Sequence, residues 1–218
     1  MSTSRAALSA LLVLALPSVA LAADPIAVNH RGQPLMLSAG LPAATLGAPV
    51  SRPALAGTVL YSNLGSELEL FDTSSSWLVA SKVAAGDYQA VAMPFTVALP
   101  TRLQQARIAV NWIFGTRAMK VGLYADDAGL PGARIKQLLV TNLPDIGSCC
   151  ATVDTGFGRP ALEGGKTYWI VARVPKSSNT SGGWSFNNTG DVGTFASNQG
   201  SGWHQGYYTR GAFEVIGR

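Results

Sequence analysis

The stretch VAMPFTV, at residues 91–97, decides the fold class. Every second residue in it is large and apolar: Val91, Met93, Phe95 and Val97. Because successive side chains of a strand point to opposite faces, this alternation predicts a strand with one buried face. Pro94 belongs to the other face and has no amide hydrogen to donate, which favours an edge strand or a bulge.

The same two-residue period recurs along the chain. Alternating apolar residues occupy positions 108–114, 119–123 and 168–174, and shorter apolar segments lie at 58–62, 135–140 and 213–215. Turn-forming residues separate them, including DDAGLPG at 126–132. No segment keeps helical spacing over three turns. We therefore predict an all-β domain, an antiparallel β-sandwich of the jelly-roll type, with a β-barrel as the alternative.

The N-terminal segment has the pattern of a secretory signal. An apolar run at residues 6–16 follows Arg5, and Ala20-Leu21-Ala22 matches a small-residue cleavage site. The run is too short to cross ~30 Å of hydrocarbon. We predict a signal peptide at residues 1–22, cleaved after Ala22, a flexible Ala/Pro-rich leader at 23–56 with a short strand near 35–37, and one domain at 57–218. The protein is then secreted or periplasmic, with no membrane span after cleavage.

The charge pattern excludes one class of partner. The chain has 16 basic and 12 acidic residues and a net charge of +4, with Lys and Arg scattered singly. Nucleic-acid and anionic-membrane binders concentrate their basic residues in runs. We therefore predict no nucleic-acid partner. No segment has a cofactor motif, so we predict no cofactor, and the oligomeric state is left open.

Seven short motifs follow one another in a recognisable order: LYSNLG (60–65), AMPFTV (92–97), VGLYADDAGLPG (121–132), NLPDIGSCC (142–150), LEGGKTYWIV (162–171), GWSFNNTG (183–190) and GAFEVIG (211–217). Together they resemble the choice-of-anchor R domain family of exported bacterial proteins. The resemblance implies an exported β-sandwich and supplies no catalytic residues. Many members carry a C-terminal sorting signal. Because this sequence ends at GAFEVIGR, we expect free secretion or periplasmic residence rather than surface attachment.

The last third of the sequence is rich in aromatic residues among small polar ones. They are Trp184, Phe186, Phe195, Trp203, Tyr207 and Tyr208. An exposed ring can stack on the apolar face of a sugar while neighbouring amides and hydroxyls bond its hydroxyl groups. We predict a non-catalytic protein that binds a glycan or another extracellular or surface polymer, through Trp203, Tyr207, Tyr208, Trp184 and Asn187. The segment WHQGYY, at 203–208, is expected to be a loop.

Other interpretations remain open for the same residues. Trp184 and Phe186 are two apart, so they can share the inward face of a strand. A structural or matrix protein without a small ligand is the first alternative function. A hydrolase is the second, and it requires two or more acidic groups to converge in one cleft. Its candidate groups are Asp72, Asp126, Asp127, Asp154, Glu163, Asp191 and His204. No G-x-S-x-G motif is present, and we predict that the protein is not an enzyme.

Two adjacent acids in the 126–132 loop raise the question of a metal. Asp126 and Asp127 have the hard oxygen ligands that Ca²⁺ prefers, but the D-x-D-x-D-G pattern of calcium loops is absent. In a Gly/Pro loop such residues usually bond backbone amides. We predict no metal site, with Asp126 and Asp127 as a weak calcium alternative.

The only two cysteines, Cys149 and Cys150, are neighbours in GSCCATVD, at 147–154. A zinc site would need both His30 and His204 as further ligands. In an exported protein the usual state of paired cysteines is a disulfide. Neighbouring Cα atoms lie about 3.8 Å apart, closer than ordinary disulfides require. We predict a Cys149–Cys150 bridge that rigidifies the loop locally, with two thiols as the alternative.

Overall fold

The structure is a computed structural model that describes residues 57–66, 69–149 and 152–218, together with the backbone of residues 26–28 and 34–36. Sixteen strands and a single short helix are found in these ranges. In chain order they are β1 Ile26–Val28, β2 Pro34–Met36, β3 Thr58–Ser62, β4 Ser75–Ala80, α1 Lys82–Ala85, β5 Ala90–Thr96, β6 Thr101–Ile108, β7 Val110–Phe114, β8 Ala118–Asp127, β9 Leu130–Thr141, β10 Val153–Thr155, β11 Ala161–Leu162, β12 Thr167–Arg173, β13 Ser181–Ser185, β14 Val192–Asn198, β15 Trp203–Thr209 and β16 Phe213–Gly217.

One layer of the molecule is a six-stranded antiparallel sheet. Its strand order is β15-β14-β5-β12-β8-β9. The second layer contains the paths β2-β1-β4-β13-β7 and β10-β6-β16-β3. These two paths adjoin where β6 runs into β7 across Ala109, whose carbonyl accepts the Ser185 amide at 2.9 Å and whose amide donates to Ala212 at 3.1 Å. Together they form the layer that faces the six-stranded sheet.

The strand order is that of a jelly roll. One layer has β4 beside β13, then β7 and its continuation β6, then β10. The other has β5 beside β12, then β8, then β9. The chain crosses between the two layers after β4, β5, β7, β9, β11, β12, β13 and β15, and this alternation between two sheets is the arrangement of a jelly roll. None of the described strand paths closes on itself, so the structure is an open sandwich and not a barrel.

The core lies between the two layers and includes most of the residues that alternation predicted, together with Trp77 of β4, a strand that was not predicted. From the six-stranded sheet come Met93, Leu123 and Ile170, all fully buried. From the facing layer come the rings of Trp77, Trp184 and Phe213, also fully buried. Most strands present their predicted apolar face to the interior, and the sandwich is held by apolar burial. The exception is the end of β7, where Phe114 is 42% exposed and its neighbour Ile113 is buried instead.

Pro94 was expected at an edge or a bulge, and its strand is instead internal. β5 lies between β14 and β12, with Pro94 opposite Trp169 of β12. β14, however, pairs only with the segment of β5 from Ala90 to Ala92. Pro94 lies beyond that segment, where no β14 amide or carbonyl pairs with it. A proline is tolerated there because one side of the strand has lost its partner.

The predicted leader contributes to the sheet where it is described. β1 pairs in parallel with β4, and β2 pairs with β1. The prediction of one short strand near 35–37 is close to β2, while β1 was not predicted. The proposed signal peptide at 1–22 lies outside the described residues. No helix in the described ranges is long and apolar enough to cross a membrane.

Candidate functional site

The six-stranded sheet has one face on the core and a second face that we call the outer face. The strand register shows which residues belong to this face, because residues directly opposite one another on neighbouring strands share a face. The outer face comprises Trp203, Gln205 and Tyr207 of β15, Thr194 and Ala196 of β14, Ala92 of β5, Trp169, Val171 and Arg173 of β12, Lys120 and Tyr124 of β8, and Gln137 of β9.

The segment expected to be a loop, 203–208, belongs to a strand. β15 pairs with β14 over seven residues, from Trp203 opposite Asn198 to Thr209 opposite Val192. Gly206 makes this pairing possible, because a Cβ there would lie 2.5 Å from the ring of Phe195. The sequence lacks apolar alternation here because β15 is an edge strand, exposed on much of both faces.

Strand geometry divides the predicted aromatic contacts into two groups. Trp203 and Tyr207 point to the outer face, about 13 Å apart along the strand, with Gln205 between them. The ring of Tyr207 is 73% exposed. Tyr208 points to the opposite face, where its ring packs at 5.7 Å from that of Trp77 and 5.9 Å from that of Phe186. The outer face therefore has a two-ring platform rather than a set of three.

A small aromatic cluster supports Trp203 from below. Trp203 packs against a buried group that includes Ala92, Tyr124 and Trp169. This group lies on the outer face, outside the main core. Its alanine floor leaves space for the large rings to lie flat against the sheet. Trp203 is thus half-buried and held in a fixed orientation, which lowers the entropic cost of presenting it to a ligand.

The tip of the β8–β9 hairpin folds over one end of this cluster. Asp126 accepts a hydrogen bond from the indole of Trp169 at 2.7 Å and another from the Gly129 amide at 3.1 Å. The Gly129 carbonyl in turn accepts one from the Gln205 side chain at 3.3 Å. These bonds connect the hairpin tip to β15. They give Asp126 the turn-stabilising role that its loop context indicated.

Two of the predicted ligand contacts have other roles in the structure. Trp184 is fully buried, and its indole donates to the Ala212 carbonyl at 3.0 Å. It shares the core with Phe186, as the inward-face interpretation predicted. The amide of Asn187 donates to the carbonyls of Asp191 and Arg210 and accepts from the Asp191 amide at 2.8 Å. Neither side chain presents a free surface to a ligand, because each is committed to internal contacts.

A polar network joins the end of β3 to the turn before β14. The hydroxyl of Tyr61 donates to Asp191, and the amide of Asn63 donates to the same carboxylate oxygen at 2.9 Å. Arg210 donates to the Tyr61 oxygen at 3.2 Å and lies 3.8 Å from Asp191. Burial, and then the bond to Asp191, raise the pKa of Tyr61 well above its ordinary value. The neutral phenol is therefore favoured in the folded state.

This raised pKa predicts a loss of stability in alkali. Below about pH 10 the phenol is protonated in both states, so its contribution is fully present. Above that pH only the unfolded chain ionises, and the free energy of unfolding falls as the pH rises. We expect Tyr61→Phe to remove this part, so that between pH 9 and pH 11 it loses about 1 kcal/mol less than wild type, allowing for partial solvent exposure. Urea unfolding at both pH values measures the difference, and equal losses would contradict it.

The acidic groups considered for a hydrolase separate into several places. Asp126 and Glu163 line one cleft of about 530 Å³ together with Lys166 and Tyr168. Asp72 lines another cleft, of about 440 Å³, with Glu69. Asp154 pairs with Arg107 at 3.7 Å. His204 is exposed, and its Nε2 lies 3.5 Å from the Ser201 hydroxyl.

Of these groups, Asp126 and Glu163 share a cleft, and Asp126 is already bonded. One of its carboxylate oxygens accepts from the Gly129 amide in the hairpin tip and the other from the Trp169 indole on β12. Asp127 is exposed beside Asp126. Within the described residues, no three His, Cys, Asp or Glu side chains are grouped so that they could hold a metal ion.

The cysteine prediction is only partly covered by the structure. Cys149 lines the 440 Å³ cleft next to Phe71 and Asn188, and it is not a free cysteine. Cys150 lies outside the described residues, so the predicted bridge between the two stays a prediction. Cys149 and residues 187–188 line the same cleft, so the cysteine loop lies near a turn that is distant from it in the sequence.

Several outer-face residues were not identified from the sequence. Trp169, Arg173, Tyr124 and Lys120 all alternate with core residues of β12 and β8. The signal was present in YWIVARV at 168–174, where the positions between the core residues hold a tryptophan and an arginine. A solvent face would ordinarily hold small or purely polar residues there, so the large ring at 169 marks a second packed face.

Comparison with known proteins found a distant structural similarity. No family model and no curated protein matches this chain. Among solved structures it is similar to the crystal structure of a ruminal GH26 endo-β-1,4-mannanase, at 11% identity and a TM-score of 0.30. The match covers 61% of this chain and 26% of that one, so the chain spans about a quarter of the length of the protein it matches.

Proposed function

We propose that the protein is an exported, non-catalytic β-sandwich that binds a glycan or a similar extracellular polymer on its outer face. The observation that carries the proposal is the pairing of Trp203 and Tyr207 on one face of β15. Their rings are spaced at about 13 Å along the strand, the length of a short oligosaccharide. Aromatic rings offer the flat apolar surface on which sugar rings stack.

Polar groups between and beside the rings complete the site. Gln205 lies between Trp203 and Tyr207 and is exposed, and Thr194 lies opposite Tyr207 on β14. Amides and hydroxyls of this kind give direction to the hydroxyl groups of a bound sugar. Small polar groups around a few large rings are typical of a binding site. In a packed interior each of these polar groups would need its own hydrogen-bond partner.

The alternative functions have weaker support. A structural or matrix protein requires exposed strand edges or flat apolar patches. β15 is such an edge, but the exposed apolar residues Val59, Val83 and Leu99 lie apart, on β3, on α1 and between β5 and β6. A hydrolase requires a converging pair of acids, and the two carboxylate oxygens of Asp126 already accept hydrogen bonds from Gly129 and Trp169. We therefore include the absence of catalysis in the proposal.

Binding tests with single aromatic substitutions address the proposal. We expect Trp203→Ala and Tyr207→Ala each to weaken binding to a polysaccharide by about tenfold, because each removes one stacking surface. Tyr207→Phe keeps the ring and should retain most of the affinity. Affinity gel electrophoresis across a panel of soluble polysaccharides measures the dissociation constants.

Phe114→Ala is the matched control. Phe114 is also an exposed ring, 42% accessible, but it lies on β7 in the opposite layer. It should leave binding unchanged. The proposal is wrong if no polysaccharide in the panel binds, or if Tyr207→Ala binds as tightly as wild type.

A further inference from the structure

Two cations face each other on the outer face. Arg173 of β12 is directly opposite Lys120 of β8, and both alternate with the outer-face residues Trp169 and Tyr124. Like charges directly opposite on neighbouring strands are destabilising. The fold therefore retains a repulsive pair on the same surface that carries Trp203.

These cations have no acidic counterpart in the described part of the chain. The four ion pairs found there use Arg107, Arg117 and Arg210 as their cations. The Nε of Arg173 is buried and has no hydrogen-bond partner among the described residues. Leaving a buried donor without a partner has a free-energy cost. An acceptor group of a ligand at this position would remove that cost.

The surroundings of the pair are also open to a further acceptor or donor. Gln137, opposite the side-chain-free Gly122, has a buried carbonyl oxygen without a partner in the described ranges. Arg134, opposite Tyr124, is exposed and adds a third cation. Asp126, at the hairpin tip, is bonded to Trp169 and Gly129.

Register connects this basic group to the aromatic platform. Trp203 is opposite Asn198, and Asn198 is opposite Ala90 on the next strand. Val91 pairs with Ala172, so the neighbouring residues Ala90 and Arg173 also lie side by side. Lys120 completes the row. The row crosses five strands, about 19 Å. It has a ring at one end, two cations at the other and a small alanine between them.

We propose that the outer face takes an acidic polysaccharide, whose sugar rings stack on Trp203 and whose carboxylate or sulfate groups meet Lys120 and Arg173. The inference rests on the proposed function and names its ligand class. Arginine suits this task because its planar guanidinium matches the two oxygens of such groups. Bound anions also remove the repulsion between the two cations, so ligand charge and protein charge are complementary.

The test compares one polymer in two charge states. Isothermal titration of the full chain with polygalacturonate and with its fully methyl-esterified form keeps the sugar backbone constant. We expect the acidic form to bind about tenfold more tightly at about 0.1 M salt. The preference should largely disappear at about 1 M salt, where the screening length falls to about 3 Å. Dextran sulfate, run in parallel, shows whether sulfate serves in place of carboxylate.

Substitutions locate the effect on the row. Lys120→Gln should weaken polygalacturonate binding by about three- to tenfold without lowering the melting temperature, because it also removes a like-charge pair. Arg102→Gln is the control, since Arg102 is an exposed cation on β6 in the opposite layer. It should leave the affinity unchanged.

The outcomes separate this inference from the proposed function. Equal binding of the acidic and esterified forms overturns the acidic ligand and leaves glycan binding in place. An equal loss in Arg102→Gln and Lys120→Gln overturns the assignment to this row. Binding to phosphatidylserine vesicles that exceeds binding to polygalacturonate and is lost in Lys120→Gln overturns it in favour of a lipid surface. Binding to none of the polysaccharides overturns both proposals.

Discussion

Replacing Trp77 with alanine lowers the free energy of unfolding by about 3–5 kcal/mol, the cost of removing a fully buried large aromatic side chain. Trp77 is fully buried, and its ring lies 4.1 Å from that of Phe195 and 5.6 Å from that of Phe186. Its indole donates to the Thr209 carbonyl at 3.0 Å. The ring therefore attaches the β14–β15 hairpin to the core from inside. Urea unfolding followed by tryptophan fluorescence and circular dichroism measures the loss.

The position of Trp77 also links stability to binding. Since β15 carries Trp203 and Tyr207, loosening the hairpin from below should weaken glycan binding although Trp77 touches no ligand. Trp77→Phe keeps a ring and loses the bond to Thr209, so we expect roughly half the destabilisation, and this variant serves if the alanine variant does not fold. Leu99→Ala, at a side chain 75% exposed, should change the free energy by less than about 0.5 kcal/mol. A loss in Trp77→Ala no greater than that would contradict the packing argument.

Replacing Asn63 with alanine has the second largest expected effect, a loss of about 3 kcal/mol. Asn63 is 4% exposed. Its carbonyl oxygen accepts the Phe213 amide at 2.8 Å, and its amide donates to Asp191 at 2.9 Å and to the Gly211 carbonyl at 3.1 Å. Truncation removes this partner from the buried Phe213 amide and the Gly211 carbonyl, while Asp191 keeps Tyr61 and Arg210. Each buried group left unpaired costs about 1–3 kcal/mol.

A second substitution at the same position separates hydrogen bonding from packing. Asn63→Asp keeps the acceptor for the Phe213 amide but places a carboxylate beside Asp191. The pair then shares a raised pKa, so the variant should be unstable at neutral pH and recover relative to wild type as the pH falls through that pKa. Thermal unfolding between pH 4 and pH 7 follows this. Thr96→Ala, which removes an exposed hydroxyl contact to Thr167, is the control and should show no such pH dependence.

The sequence indicated part of the apolar burial behind the first stability prediction, but none of the hydrogen bonds behind the second. The spacing of Trp184 and Phe186 indicated a shared inward face as the alternative to ligand contact, and both belong to the core with Trp77. The role of Asn63 was not visible, because its partners lie more than 100 residues away along the chain. Local patterns report which side of a strand is buried. They carry no information about which distant backbone amide needs an acceptor.

The candidate site shows the same division. The aromatic residues of 203–208 were predicted to contact a ligand, but their segment was expected to be a loop. An edge strand that is exposed on both faces has no apolar period, so the pattern gave no indication of a strand. Pairing with β14 converts it into a strand and places Tyr207 with Trp203 while turning Tyr208 towards Trp77. The outer cluster around Trp169 was not predicted, because the apolar alternation of residues 168–174 indicates a single buried face.

The amino-acid sequence by itself determined the fold class and the core, because a period of two fixes which side chains share a face, and apolar burial then requires that face to be covered. Only the tertiary structure decided where the proposed binding surface lies. Lys120, Arg173, Asn198 and Trp203 come from four strands, and nothing in their local sequence indicates that they form one row. Strand order and register bring them together. These depend on long-range pairing, as between Asn198 and Ala90, which are more than 100 residues apart in the chain.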